Sequence, residues 1–227
     1  DETIKDKDTL KSEVTTVLTN YNTNTLNDFN KMFRYSELQG QIDDADDAIL
    51  NSGSKVYLSK TFTPQLLSSQ SHDLFFNNAF FHPHDGHSAS LGGVLASTGF
   101  KVSGNATDEM FFDDDGKGNI RRFYLVGTTR NYVDLSAGTI DYEKGTVKIK
   151  TINITSVSDI DGVSSSDIRI VIVPDSKDIK AVRNQILNID LTNTTILPKV
   201  DTISIGQPGA ASSFSTTTTM PSASQSF

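Results

Sequence analysis

Three imidazoles and a carboxylate fall within six residues at His82-Pro83-His84-Asp85-Gly86-His87. Such ligands bind Zn²⁺ or Fe²⁺ when a loop turns them inward. No second ligand cluster accompanies them, and the Pro-His and Asp-Gly pairs mark turns. A solvated loop is therefore expected, and no metal is assigned. Asp113-Asp114-Asp115-Gly116 invites comparison with a calcium loop, which sets acids at its first, third and fifth positions and Gly at its sixth. Counting back from Gly116 puts Phe111 first, so the pattern fails and a tight hairpin is expected. Asp43, Asp44, Asp46 and Asp47 would attract a cation or a basic partner, but a solvated helix face is the default for such a run.

Nucleophilic catalysis finds no support. The chain has no Gly-x-Ser-x-Gly elbow, and His72, His82, His84 and His87 share one loop-rich region. Gly92-Gly93 is followed by Val-Leu-Ala, not by the Lys-Ser/Thr of a phosphate-cradling loop. No catalytic, cofactor-binding or metal-ligating residue is assigned. The chain is not expected to be an enzyme or to carry a cofactor.

The elements that would position these residues are mostly strands. Ile140 and Tyr142 alternate with polar neighbours, Glu143-Lys144-Gly145 intervenes, and Val147 and Ile149 alternate again, which predicts a hairpin. The apolar parity then shifts to Ile152 and Ile154, which are read as a third strand, so either a bulge near Thr151 or a shift of cover from one face to the other is expected. Residues 168–173 are apolar on nearly both faces and predict a central strand that Pro174 ends. A return segment completes the stretch 138–191.

Upstream, Leu10, Val14, Val17, Leu18 and Tyr21 have helical spacing behind the acidic first turn of Asp6 and Asp8. The Asn/Thr-rich residues 20–27 should interrupt that helix. Phe29, Phe33 and Tyr35 form a short apolar segment. Ser36 and Gln39 have capping-box spacing ahead of Leu38, Ile42, Ala45 and Ile49 on one helical face. Strands begin at residues 55–58. Between them, residues 68–73 and 82–93 read as polar, turn-forming intervals, and residues 113–119 as a hairpin turn.

The chain has 227 residues, a net charge of −8 and a pI near 4.9. That charge disfavours nucleic acid or an anionic membrane as partner. No apolar run approaches membrane-spanning length. Without cysteine, neither disulfide nor thiolate chemistry is available. The first residue is Asp and no signal-like segment follows, which points to a piece of a longer protein. Residues 206–227 carry no charge, are rich in Ser, Thr, Pro and Ala, and suit an extended or partner-bound tail.

The runs Ala137-Gly138-Thr139-Ile140-Asp141-Tyr142, Lys144-Gly145-Thr146-Val147-Lys148-Ile149, Asp167-Ile168-Arg169-Ile170, Pro174-Asp175-Ser176-Lys177-Asp178-Ile179 and Arg183-Asn184-Gln185-Ile186-Leu187 resemble a known family. It is the baseplate wedge family of T-even-like contractile-tailed phages and cyanophages. Phe33-Arg34-Tyr35-Ser36-Glu37-Leu38, Ile42-Asp43 and Ala48-Ile49 resemble it as well. The similarity spans roughly residues 5–205 and includes a baseplate J-like C-terminal region.

The resemblance implies a structural subunit of a virion baseplate, assembled in the host cytoplasm as a late protein. Such a subunit links neighbouring wedges into the inner ring. Its implied partners are copies of itself, other wedge subunits, and sheath-initiator and clamp proteins, with no nucleic acid and no membrane. The fold expectation is α+β. A helical and strand module at residues 1–60 precedes a β-rich domain at 61–205 and a low-complexity tail at 206–227. The competing reading is a tail fibre or receptor-binding adhesin with a metal-binding His82–His87 loop.

Overall fold

A computed structural model describes residues 5–82, 93–160, 162–182 and 185–199. Helix α1 (Lys7–Tyr21) starts where Asp6 accepts the N–H groups of Asp8 and Thr9. These are two of the donors that a helix start leaves unpaired. The Asn/Thr-rich stretch ends the regular α-helix within residues 20–27, as expected. The helix runs to Tyr21, and its last turn widens into a π-helical turn, Asn22–Leu26, which buries Leu26. The Thr23 hydroxyl donates to the Thr19 carbonyl, as those of Thr15, Thr16 and Thr19 do to carbonyls one turn back.

Strand β1 (Met32–Phe33) leads into helix α2 (Tyr35–Asp43). Two expectations fail here. Arg34 occupies the N-cap without a side-chain bond, while Gln39 bonds Ser52, so no capping box forms. The helix also stops at Asp43 and does not reach Ile49. Asp46 accepts the N–H of Ala48 at 2.9 Å, which favours a turn over another helical repeat.

Strand β2 (Leu58–Phe62) opens the sheet, and β3 (Ser69–Phe75) follows. Residues 69–73 are thus strand and not the expected turn. Among the described residues β3 pairs on one side only, with β9 (Thr146–Val157), and an edge strand can hold polar side chains toward water. The register of that pair runs from Gln70 opposite Ile152 to His72 opposite Ile149. One extra residue therefore lies in β9 near Thr151. This is the expected bulge, and one continuous strand takes the place of the separate third strand expected there.

The remaining strands are β4 (Leu95–Ser97), β5 (Phe100–Val102), β6 (Asn105–Asp114), β7 (Asn119–Val126), β8 (Thr129–Asp141), β10 (Ile168–Ile172) and β11 (Ile179–Lys180). Antiparallel pairings run β5–β6–β7–β8–β9 and back to β5, which closes a barrel. Strands β4, β10, β2 and β3 extend it. As expected, β10 is central: β2 and β4 flank it, and Ile168, Ile170 and Ile172 are fully buried. The whole is an α+β arrangement.

Two apolar clusters result. The larger fills the sheet, with Phe100, Phe112, Ile120, Val147, Ile149, Ile168 and Ile170 among its members. The smaller joins Leu18, Tyr21, Leu26, Phe33, Leu38 and Ile42 to Ile179 of β11. Strand β11 pairs with β1, and Asp178 accepts the N–H of Tyr35 at 2.8 Å. The return segment therefore comes back to finish the N-terminal core. Leu58 packs against both clusters.

Candidate functional site

The residues with chemical potential gather where β6 meets its neighbours. Asp113 and Asp114 are the last residues of β6, not turn residues, and their side chains leave opposite faces of the strand. The hairpin expected at residues 113–119 does form, with β6 and β7 as its arms. Its turn is stabilised by Asp115, which accepts the N–H groups of Lys117 and Asn119.

Asp113 is 2% exposed and faces a layer of aromatic and basic side chains outside the main core. Arg121, directly opposite on β7, donates Nε and Nη2 to its two oxygens at 2.9 and 3.1 Å. Arg130 Nη1 and the Tyr132 hydroxyl, both from β8, reach Oδ2 at 2.7 and 2.8 Å. The guanidinium of Arg121 stacks 4.2 Å from the Tyr132 ring, and that of Arg130 lies 4.8 Å from the Phe123 ring. Burial pushes the Asp113 carboxyl up, against the opposing pull of Arg121, Tyr132 and Arg130. Burial and the neighbouring Asp113 push the Tyr132 hydroxyl up.

Asp114 faces the main core and is fully buried. Its Oδ1 accepts the N–H groups of Val94 and Leu95 at 2.6 and 2.8 Å. Its Oδ2 accepts the Gly116 N–H at 3.2 Å and the Tyr142 hydroxyl at 2.6 Å. Burial, then the charge of Asp114, raises the Tyr142 hydroxyl far above the phenol range, so it remains a donor at ordinary pH. Both carboxylates have their hydrogen-bonding capacity turned inward. As arranged they fasten β4, β6, β7, β8 and the β8–β9 turn together, and they present no open face to a substrate.

The other expected residues are scattered. The His82 ring stacks on Tyr142 at 4.6 Å, while His84, Asp85 and His87 lie outside the described residues. His72 sits on β3 with its ring 4.4 Å from Phe62, and burial lowers its pKa. Among the described residues no group of three or more His, Asp or Glu is placed to hold a metal ion, and no helix is long and apolar enough to cross a membrane. In the acidic run, Asp43 accepts from Ser52, and Asp46 pairs with Lys5; the hydrogen bond from Lys5, then that from the Ala48 N–H, draws the Asp46 pKa down. Phe33 and Phe80 are buried, while Phe29 and Phe81 are exposed.

Sequence reasoning missed the network around Asp113 and Asp114. The signal was available: in a hairpin centred on Lys117, Asp113 and Arg121 fall opposite each other.

Residues 1–61 match the family described as baseplate structural protein gp6, C-terminal domain III. That span contains α1, the π-helical turn, β1, α2 and the first residues of β2. It covers the upstream part of the resemblance, from Phe33 to Ile49, and not the stretch 138–191. No curated protein matches the chain. The match supports a structural protein of a phage tail baseplate, located in the virion and in contact with other baseplate components.

Proposed function

We propose that this chain is a wedge subunit that links neighbouring wedges into the inner ring of a contractile-tail baseplate. The observation that carries this reading is the match of residues 1–61 to a baseplate domain. The packing is in keeping with it, because the core of that module needs Ile179 of β11, which follows the sheet's last strand along the chain. Module and sheet would therefore move as one structural piece. We divide the chain into a module at 1–60, a β-rich domain at 61–205 and an extended or partner-bound tail at 206–227.

The role is mechanical and involves no catalysis, cofactor or metal. Partners are copies of the chain in neighbouring wedges, other wedge subunits, and sheath-initiator and clamp proteins, joined in the host cytoplasm. Neither nucleic acid nor membrane takes part. Purified chain mixed with the other wedge components should form ring-like oligomers visible by negative-stain electron microscopy. A chain that stays monomeric with every wedge component present overturns the reading.

A further inference from the structure

Residues 185–191 have the period of a strand yet pair with no strand among the described residues. Half-buried Gln185, Leu187, Ile189 and Leu191 alternate with exposed Ile186, Asn188 and Asp190. Leu187, Ile189 and Leu191 pack on the core of the N-terminal module. The main chain is left open. Among the described residues only the Ile189 N–H is bonded, to Asn22 Oδ1 at 3.0 Å, and no carbonyl from 185 to 189 accepts a hydrogen bond. The Asp190 and Leu191 carbonyls accept from Thr194, and an extended segment held by one face, with most of its other main-chain donors and acceptors open, is a template for another strand.

A groove runs beside this segment. Ile186, Leu187 and Asn188 form one wall, and Asn22, Thr23 and Asn27 of the π-helical turn and its cap form the other. The Asn27 main-chain N–H returns to the Asn22 carbonyl, while its side-chain amide has no partner among the described residues. No lining residue is charged. An occupant therefore meets amides, a hydroxyl and an apolar edge, a surface suited to an uncharged extended chain.

Residues 206–227 have that chemistry: they carry no charge and contain the β-branched run Thr216-Thr217-Thr218-Thr219. Twenty-eight residues follow Lys199, and fully extended they span about 90 Å, far enough to reach another molecule. An uncharged contact also suits copies that each carry a net charge of −8 and repel one another.

We propose that the groove between residues 186–188 and the π-helical turn receives the 206–227 tail of a neighbouring copy as an added strand. This rests on the ring-linking reading above and supplies one of its contacts.

The absence of cysteine makes the test direct. Full-length Asn27→Cys chain with an affinity tag is mixed with untagged Thr217→Cys chain, assembled with the wedge components and oxidised. The expected product is a mixed disulfide between tagged and untagged copies. Amides 186–191 should also exchange at least about tenfold more slowly in the assembly than in an assembly of chains lacking residues 206–227. An Asn27→Cys/Thr217→Cys double variant that closes an internal disulfide in place of an intermolecular one overturns the proposal, as does exchange at 186–191 that ignores the tail. Rings that form unchanged without the tail remove this contact and leave the ring-linking reading standing. Failure of the intact chain to form rings removes both.

Discussion

The Tyr142 hydroxyl, at the turn between β8 and β9, donates to the buried carboxylate of Asp114 at the end of β6 at 2.6 Å. The same carboxylate accepts the N–H groups of Val94, Leu95 and Gly116, so a single side chain joins three separate segments. Asp114→Ala would strand those donors in the interior. The expected loss is roughly 3–5 kcal/mol, about 10 °C in Tm for a chain of this size. Tyr142→Phe removes only the hydroxyl and should cost about 1–2 kcal/mol. Thermal denaturation of the two variants checks the order, and equal losses would contradict it.

The two arginines on Asp113 should behave unequally. Arg121 is buried and bidentate, while the Arg130 side chain keeps 24% of its surface exposed. Arg121→Ala leaves a poorly compensated charge inside and should cost roughly 3–5 kcal/mol. Arg130→Ala should cost about 1 kcal/mol. Joint replacement, Asp113→Leu with Arg121→Met, should recover most of the larger loss, because apolar side chains need no pairing. Urea midpoints for the three variants provide the measurement.

His72 predicts a pH dependence. Burial against Phe62 lowers its pKa in the folded chain, so the unfolded chain holds more protons between that lowered value and the ordinary value of about 6.5. Its contribution is complete above the ordinary imidazole range and is lost as pH falls through the folded value. Denaturation midpoints should therefore decline on acidification through that window, and His72→Gln should decline less steeply than the parent. A steeper decline in the variant would reverse the sign.

Gly145 and Gly127 separate two costs of a side chain. Both have positive φ, +64° and +61°. A Cβ on Gly145 would run into the main chain of Asn78, while one on Gly127 meets open space. Gly127→Ala should cost about 1 kcal/mol for the left-handed conformation alone. Gly145→Ala should cost at least about twice that, since Asn78 must move and Phe76 and Asn77 both donate to the Gly145 carbonyl. Calorimetry on the pair checks the difference.

Where local pattern and tertiary context agreed, the fold was legible. The run 168–172 is apolar on nearly both faces, and it lies between β2 and β4 with Ile168, Ile170, Val171 and Ile172 buried. The parity change near Thr151 is the bulge facing β3. Gly145 closes its hairpin with positive φ. The failures share one cause, which is that the deciding partner lies far along the chain. Residues 69–73 are polar, and only pairing with β9 makes them a strand. Asp113 and Asp114 have the composition of a turn, and only Arg121, Arg130, Tyr132 and Tyr142 explain two carboxylates at strand positions. The module at the N-terminus looked self-sufficient, yet Ile179 and the segment beyond it complete its core.

The most direct measurement is a cryo-electron microscopy map of the intact virion tail, with this chain fitted by its barrel and N-terminal helices. The account predicts density for it in the baseplate, repeated around the tail axis and bridging adjacent wedges. Density for the chain only in a fibre or receptor-binding tip, or none anywhere in the tail, would contradict it.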